Sequence, residues 1–320
     1  MRPRAAIARL GGLAGRAWAG WQRFWFEPRE TSTLAVVRIV YGVTIFFWTL
    51  SQLPTLLTFY GSDGILPEAP DLGPGAWTVL SPLSGDVFVI GLFVLMLVAA
   101  MALMVGFYPR AAALFLFIGT ASLQRRDPYV HNAGDALLRI MPLYLALSPC
   151  GAALSLDRWR KHRDDFWESP LRSQVALRLM QIQVSIVYLD GVWEKVRGVS
   201  WNDGTAVSFA LRIGDLQRLP VPGFFRSSEL IANFLTYGTL AMEFALAVLV
   251  WNRAARPWVL LAGVSLHLGI DWAMRVGFFS FGILVFYLAF LPPDRVSAAL
   301  LNARDVVLRR RRAAAAAPSS

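Results

Sequence analysis

The chain has 320 residues, of which 56% are hydrophobic and only 16% charged, a balance that excludes an ordinary soluble domain. Its net charge of +10 would suit nucleic acid, but the arginines fall between apolar segments, which membrane topology explains and a nucleic-acid interface does not. A single cysteine, Cys150, rules out an internal disulfide and any cysteine-built metal site.

Residues 1–29 interleave Arg2, Arg4, Arg9, Arg16 and Arg23 with Trp18, Trp21, Phe24, Trp25 and Phe26. Charge spread so evenly does not make a signal peptide and predicts a basic amphipathic helix on the cytoplasmic membrane surface. Apolar runs then recur at 33–53, 86–106, 111–123, 131–148, 175–195, 231–250, 258–272 and 276–291, about eight membrane helices in all. Arg38 lies close enough to the cytoplasmic end of the first to snorkel. The loop Tyr60-Gly-Ser-Asp-Gly-Ile-Leu-Pro-Glu-Ala-Pro has no Lys or Arg and belongs outside, whereas Arg125-Arg126 on that same side break the charge rule. Pro142 predicts a kink in the fourth run. Arg158, Arg160, Lys161 and Arg163 mark the next loop as cytoplasmic, with His162 solvated among them. Residues 196–229 are then external, with 216–225 folded back as a connection. After Pro292-Pro293 come a short polar helix, the basic block Arg309 to Arg312 and a low-complexity end. The reading is an all-α polytopic bundle over 30–295, flanked by cytoplasmic segments 1–29 and 296–320, with both termini inside.

Three ionisable residues, Asp190, Glu194 and Lys195, crowd the point where the fifth run turns polar, between Trp193 and Trp201 at the level suited to indoles. Lys195 either snorkels to water or points into the bundle, where a desolvated amine is available as a base. His131, Asp135, His267 and Asp271 fall in the outer half too. The pairs His131/Asp135, Asp135/Arg139, His267/Asp271 and Asp271/Arg275 are each four apart and share helix faces. No His-x-x-x-His or Glu-x-x-His spacing occurs, so no metal is expected. Glu243 stands about halfway along its run, where a carboxyl needs a proton or a partner; Arg139 and Arg178 are the candidates.

The pattern Tyr188-Leu-x-Gly-x-x-x-Lys195, followed by Trp201-x-Asp203-Gly204-Thr205-Ala206, resembles the signature of the horizontally transferred transmembrane (HTTM) family. That family resembles the membrane module of the vitamin K-dependent gamma-carboxylase. Asp63-Gly64-Ile65-Leu66-Pro67 resembles a second motif of the family, a short turn after the first helix. The resemblance implies a membrane enzyme of carboxylase/epoxidase type with Lys195 as base, His267 and His131 as further catalytic groups, and a cofactor pocket at Asp135, Asp271 and Trp201. The implied cofactor is a reduced, vitamin K-like quinone, without a metal. The implied partners are membrane lipid, the quinol and a partner protein, with no nucleic acid, in the cell membrane as in a bacterial inner membrane. Where the carboxylase has a second lysine this chain has Glu194, which puts a carboxylate beside the amine in sequence. At 320 residues there is no room for the β-rich extracytoplasmic domain with which the carboxylase holds protein substrate. The alternatives are a non-catalytic carrier or lipid/quinone-binding protein and a scaffold for a partner. A carrier requires Arg38, Arg139, Arg178, Gln181 and Glu243 to converge on one inner route.

Overall fold

Helices follow one another along the chain because apolar runs are separated by short punctuated loops. The structure is a computed structural model that describes residues 3–68, 70, 73, 78–80 and 85–316. The helices are α1 (Pro3–Phe26), α2 (Ser32–Gln52), α3 (Leu56–Tyr60), α4 (Asp86–Val105), α5 (Pro109–Arg126), α6 (Ala133–Ala146) and α7 (Leu156–Lys161). They continue as α8 (Val175–Lys195), α9 (Val199–Asn202), α10 (Ala206–Ala210), α11 (Phe224–Ser227), α12 (Glu229–Val248), α13 (Arg256–Ala273), α14 (Phe279–Tyr287) and α15 (Pro293–Ala316). Two short strands, β1 (Arg29–Glu30) and β2 (Leu171–Arg172), pair antiparallel and tie the start of α2 to the start of α8.

One buried core runs through α2, α4, α5, α6, α8, α12 and α14. Around it the helices keep apolar residues on the outside as well: Phe88, Val94, Leu95, Val98 and Met101 of α4 are all exposed, as on a helix that faces lipid. Among the described residues, Ser32–Tyr60, Asp86–Val105, Val175–Lys195 and Glu229–Trp251 are long and apolar enough to cross a membrane. A fifth candidate, Phe279–Phe290 with Pro293–Val306, is bent by 94° at the two prolines. The expected number of about eight is not reached on this criterion. The helices α5, α6 and α13, of 18, 14 and 18 residues, do not meet the required length and polarity by themselves.

Several loop expectations change once arginines are placed. Arg38 does not snorkel: it is fully buried and donates to the carbonyls of Cys150 at 2.9 Å, Ala153 at 3.3 Å and Leu154 at 2.6 Å. Beside that turn Gly106, in the left-handed region (φ +76°), closes α4 against Arg38 and Ser155 before Pro109 starts α5. Arg126, which broke the charge rule, is buried with its Nη2 on the carbonyls of Gly61 (3.2 Å) and Pro67 (3.0 Å). It is thus an internal clamp on the turn after the first span and not a surface charge. Residues 296–316 are not a short helix and a loose tail: α15 runs unbroken through Arg309 to Ala316. Its start is held by Ser32, whose hydroxyl donates to the Pro293 carbonyl at 2.7 Å. The basic N-terminal segment is helical as expected, and its end docks on α8, with the Arg178 guanidinium on the Phe24 carbonyl (3.0 Å) and over the Phe24 ring (4.5 Å).

Candidate functional site

The helices α8 and α12 run antiparallel: Ser185 of α8 donates to the Ala247 carbonyl near the end of α12, while Lys195 at the end of α8 meets Glu243, and just beyond it Tyr237 donates to the Asn202 carbonyl of α9. A helical side chain leans toward the N-terminus of its own helix. On an antiparallel pair the two leans converge, so Lys195 at the last turn of α8 and Glu243 deep in α12 meet midway. The Lys195 Nζ lies 2.7 Å from Glu243 Oε1 and 2.6 Å from Oε2, with 26% and 10% of the two side chains exposed. A methyl group on Gly191 would stand 3.5 Å from that nitrogen and 3.7 Å from Oε2, so the motif glycine keeps the wall beside the pair low. The Trp201 ring lies 5.4 Å from the same nitrogen.

The turn carrying Trp201 is set by Gly204, whose left-handed backbone (φ +72°) presses against the Asn233 side chain with no room for a Cβ. Beyond it α10 and α11 fold over the end of the bundle. Val207, Leu211, Val221 and Phe225 form a small second core with Ala273 and Met274. The backbone amide of Arg218 donates to the Ala273 carbonyl (3.1 Å) and that of Arg275 to Leu216 (2.6 Å). Segment 196–228 is therefore a cap.

Beneath it is a cavity of about 900 Å³, walled mainly by apolar residues that include Leu137, Val187, Leu211, Phe225, Phe279 and Ile283. Lys195, Glu243, Trp201, His267, Tyr188, Asp190 and Arg139 supply its polar surface. His267 Nε2 is 2.7 Å from the Tyr188 hydroxyl, which is also hydrogen-bonded to the Tyr287 hydroxyl. Tyr287 reaches it because position 263 is glycine; a Cβ there would meet the Tyr287 oxygen. The buried Nδ1 of His267 has no partner.

The expected site residues divide. Lys195, His267 and Trp201 line the cavity together, whereas His131, Asp135 and Asp271 do not. His131 stacks between Trp48 and Tyr60, its Nε2 3.2 Å from the Tyr60 hydroxyl and its Nδ1 3.5 Å from Asp135. Asp135 accepts from Trp48 Nε1 (2.7 Å) and the Asn132 amide (2.8 Å), completing a capping box that starts α6. Asp271 pairs with Arg218 of the cap at 2.9 Å and bonds neither His267 nor Arg275. Glu194 is 65% exposed and faces Arg197 (3.5 Å), so the carboxylate next to Lys195 in sequence is not the one it meets. Glu243 takes Lys195, not Arg139 or Arg178. Sequence reasoning gave no role to Tyr188 and Tyr287; Tyr188 opens the quoted motif, while Tyr287 had no signal beyond a polar group in an apolar run. The residues a carrier route requires do not converge on one route: Arg38 holds the loop carbonyls, Arg178 and Gln181 bond each other and the Phe24 and Ala289 carbonyls, and Arg139 and Glu243 line the cavity. No group of three or more His, Cys, Asp or Glu among the described residues is placed to hold a metal.

A helical membrane protein with a capped, apolar cavity and a lysine–carboxylate pair on its wall is the class that fold and site define. The chain belongs to the HTTM family, whose domain matches residues 26–295. Neither a curated protein nor a solved structure matches it.

Proposed function

We propose that this HTTM protein is a quinol-dependent enzyme of the carboxylase/epoxidase type, whose chemistry starts with proton removal at the Lys195–Glu243 pair. The observation that carries the reading is this pair, bonded at 2.6 and 2.7 Å on the wall of a mainly apolar cavity. The fit to a reduced quinone rests on the same wall: a flat apolar ring and its side chain suit Leu137, Val187, Phe279 and Ile283, and a ring hydroxyl suits the pair. Such a quinol would supply an acidic hydroxyl and a ring that reacts with oxygen.

The ion pair changes the part Lys195 plays. The two groups meet as an ion pair, and of the pair the carboxylate is the one with lone pairs that can take up a proton. When Glu243 takes the proton of a ligand hydroxyl, the Lys195 ammonium is released from it and turns to the oxygen left negative. Net charge in the cavity is unchanged, which matters where charge separation is costly. His267, on the far side of Tyr188, orients that hydroxyl. Gly191 leaves the pair open to the ligand, and the cap covers one side of the cavity.

The orientation in this reading has about eight passages, including those the shorter helices make together, with both termini cytoplasmic. The basic residues around α7 support it, because α8 separates them from the cap and so places the cavity in the outer half. A bacterial inner membrane is the setting, with membrane lipid around the bundle and a partner protein as acceptor.

The test is turnover of a reduced naphthoquinone by protein in lipid nanodiscs, with oxygen and bicarbonate present. Wild type should consume the quinol, and Lys195→Ala and Glu243→Gln should each lose at least about 100-fold in rate, as for removal of an essential proton-transfer group. Full turnover by a folded Lys195→Ala protein ends the proposal.

A further inference from the structure

The polar wall of the cavity has a second feature that the proton-removing pair does not use. Arg139, in the middle of α6, lines the cavity but makes no ion pair, hydrogen bond or aromatic contact among the described residues. Arg125, near the end of α5, is likewise without a partner and half-buried. The helices α5 and α6 are antiparallel, since Gln124 bonds the Asp135 carbonyl at one end and Arg110 the Ala146 carbonyl at the other. Arg125 therefore leans along α5 toward the level of Arg139, and Arg139 leans along α6 toward the level of Arg125. Arg139 carries its charge on the cavity wall, and Arg125 is another cation on the helix beside it. Both carboxylates on the cavity wall fail to neutralise it: Glu243 is taken by Lys195, and Asp190 forms no ion pair with either arginine.

An arginine on a mainly apolar cavity wall with no counter-ion among the described residues, and a second one leaning toward its level on the neighbouring helix, leave positive charge that an anion would complete. Guanidinium forks match the paired oxygens of a carboxylate or phosphate. We infer that Arg139, supported by Arg125, recognises the oxyanion head of an amphiphile whose apolar body lies in the cavity.

This inference rests on the reading of the cavity as a lipid-soluble ligand's site, and it adds that a ligand there is acidic. A quinol has no such head. The cavity thus takes an anionic lipid, either as the molecule acted upon or bound beside the quinol.

Purified protein in nanodiscs of neutral phosphatidylcholine can be titrated with oleate, with dioleoyl phosphatidate and with inorganic phosphate, and binding followed by calorimetry. Oleate or phosphatidate should bind the wild type, and Arg139→Gln should weaken that binding at least about tenfold, as expected for loss of a charge-assisted bidentate contact. Arg139→Lys should restore part of it, and Arg125→Gln should weaken it less. Retention of wild-type affinity by Arg139→Gln overturns the proposal, as does equal binding of oleyl alcohol. Binding of inorganic phosphate with no binding of either lipid also overturns it, since the head alone would then suffice. The two readings fail separately: oleate binding is measured without quinol present, and quinol turnover by the wild type is measured without oleate, so either can be lost while the other stands. A monodisperse profile and a single cooperative melting transition show that each variant is folded.

Discussion

Both carboxylate oxygens of Glu243 lie on the Lys195 nitrogen, at 2.7 and 2.6 Å, although the two residues come from opposite directions on neighbouring helices. Removing the amine alone leaves a carboxylate with 10% exposure and no partner. Lys195→Met should therefore lower stability by roughly 2–3 kcal/mol, less than for a fully buried pair because the lysine keeps some contact with solvent. Lys195→Met combined with Glu243→Gln should recover most of that loss. A double-mutant cycle on thermal unfolding in detergent measures it, and strict additivity would show that the pair is not coupled.

The acidic neighbour of Lys195 in sequence should be indifferent. Glu194 is 65% exposed and pairs with Arg197, also exposed. Glu194→Lys, which restores the lysine the family resemblance leads one to expect, should change stability by less than about 0.5 kcal/mol and leave quinol turnover as it is. A large change in rate would mean that the charge at 194 is felt at the cavity.

The cap should depend on one backbone conformation. Gly204 has φ +72° and is packed against Asn233, so a methyl group there meets both a strained backbone and an occupied space. Gly204→Ala should cost about 1–3 kcal/mol and loosen the turn that holds Trp201 over Lys195. Limited proteolysis within 196–228 reports it: cleavage should be faster than in wild type, with the bundle itself intact.

The family and the main spans were legible in the sequence because they depend on composition and on a local motif. Lys195, Trp201 and His267 could be read as neighbours for the same reason: each lies near one end of an apolar run, and the ends of such runs share a depth. What could not be read was pairing across helices. Spacing by four suggested His267 with Asp271 and Asp135 with Arg139, yet the cap takes Asp271 through Arg218 and the α6 cap takes Asp135. Glu243 stands about halfway along its run, and the opposed leans of α8 and α12, which no local spacing encodes, bring it to Lys195 instead of Arg139 or Arg178. His131 shares the predicted depth but lies against α2 and α3, and depth alone does not say on which side of a bundle a residue falls. Arg38 and Arg126 failed for a different reason: a charge near a membrane surface reads as solvated, whereas loop carbonyls without strand or helix partners need donors too.

The Arg38 clamp can be tested through the chain's own cysteine. Cys150 is buried, its carbonyl accepts from Arg38, and burial raises its thiol above the ordinary cysteine range, with Arg38 and a bond from Ser148 only partly opposing this. A raised value means that the unreactive S–H form prevails near neutral pH, so wild-type protein should react slowly with N-ethylmaleimide and faster as pH rises. Arg38→Met removes a buried charge, which is favourable in itself, but strands the carbonyls of Cys150, Ala153 and Leu154. The stranded carbonyls should dominate, since each costs about 1–3 kcal/mol when left unpaired. The turn should then open and Cys150 should label at least about tenfold faster, the change expected from a loss of 1.4 kcal/mol or more in local opening. Arg38→Lys supplies a single amine for three carbonyls and should fall between the two. Equal labelling of wild type and Arg38→Met would show that the turn is held by something other than this guanidinium.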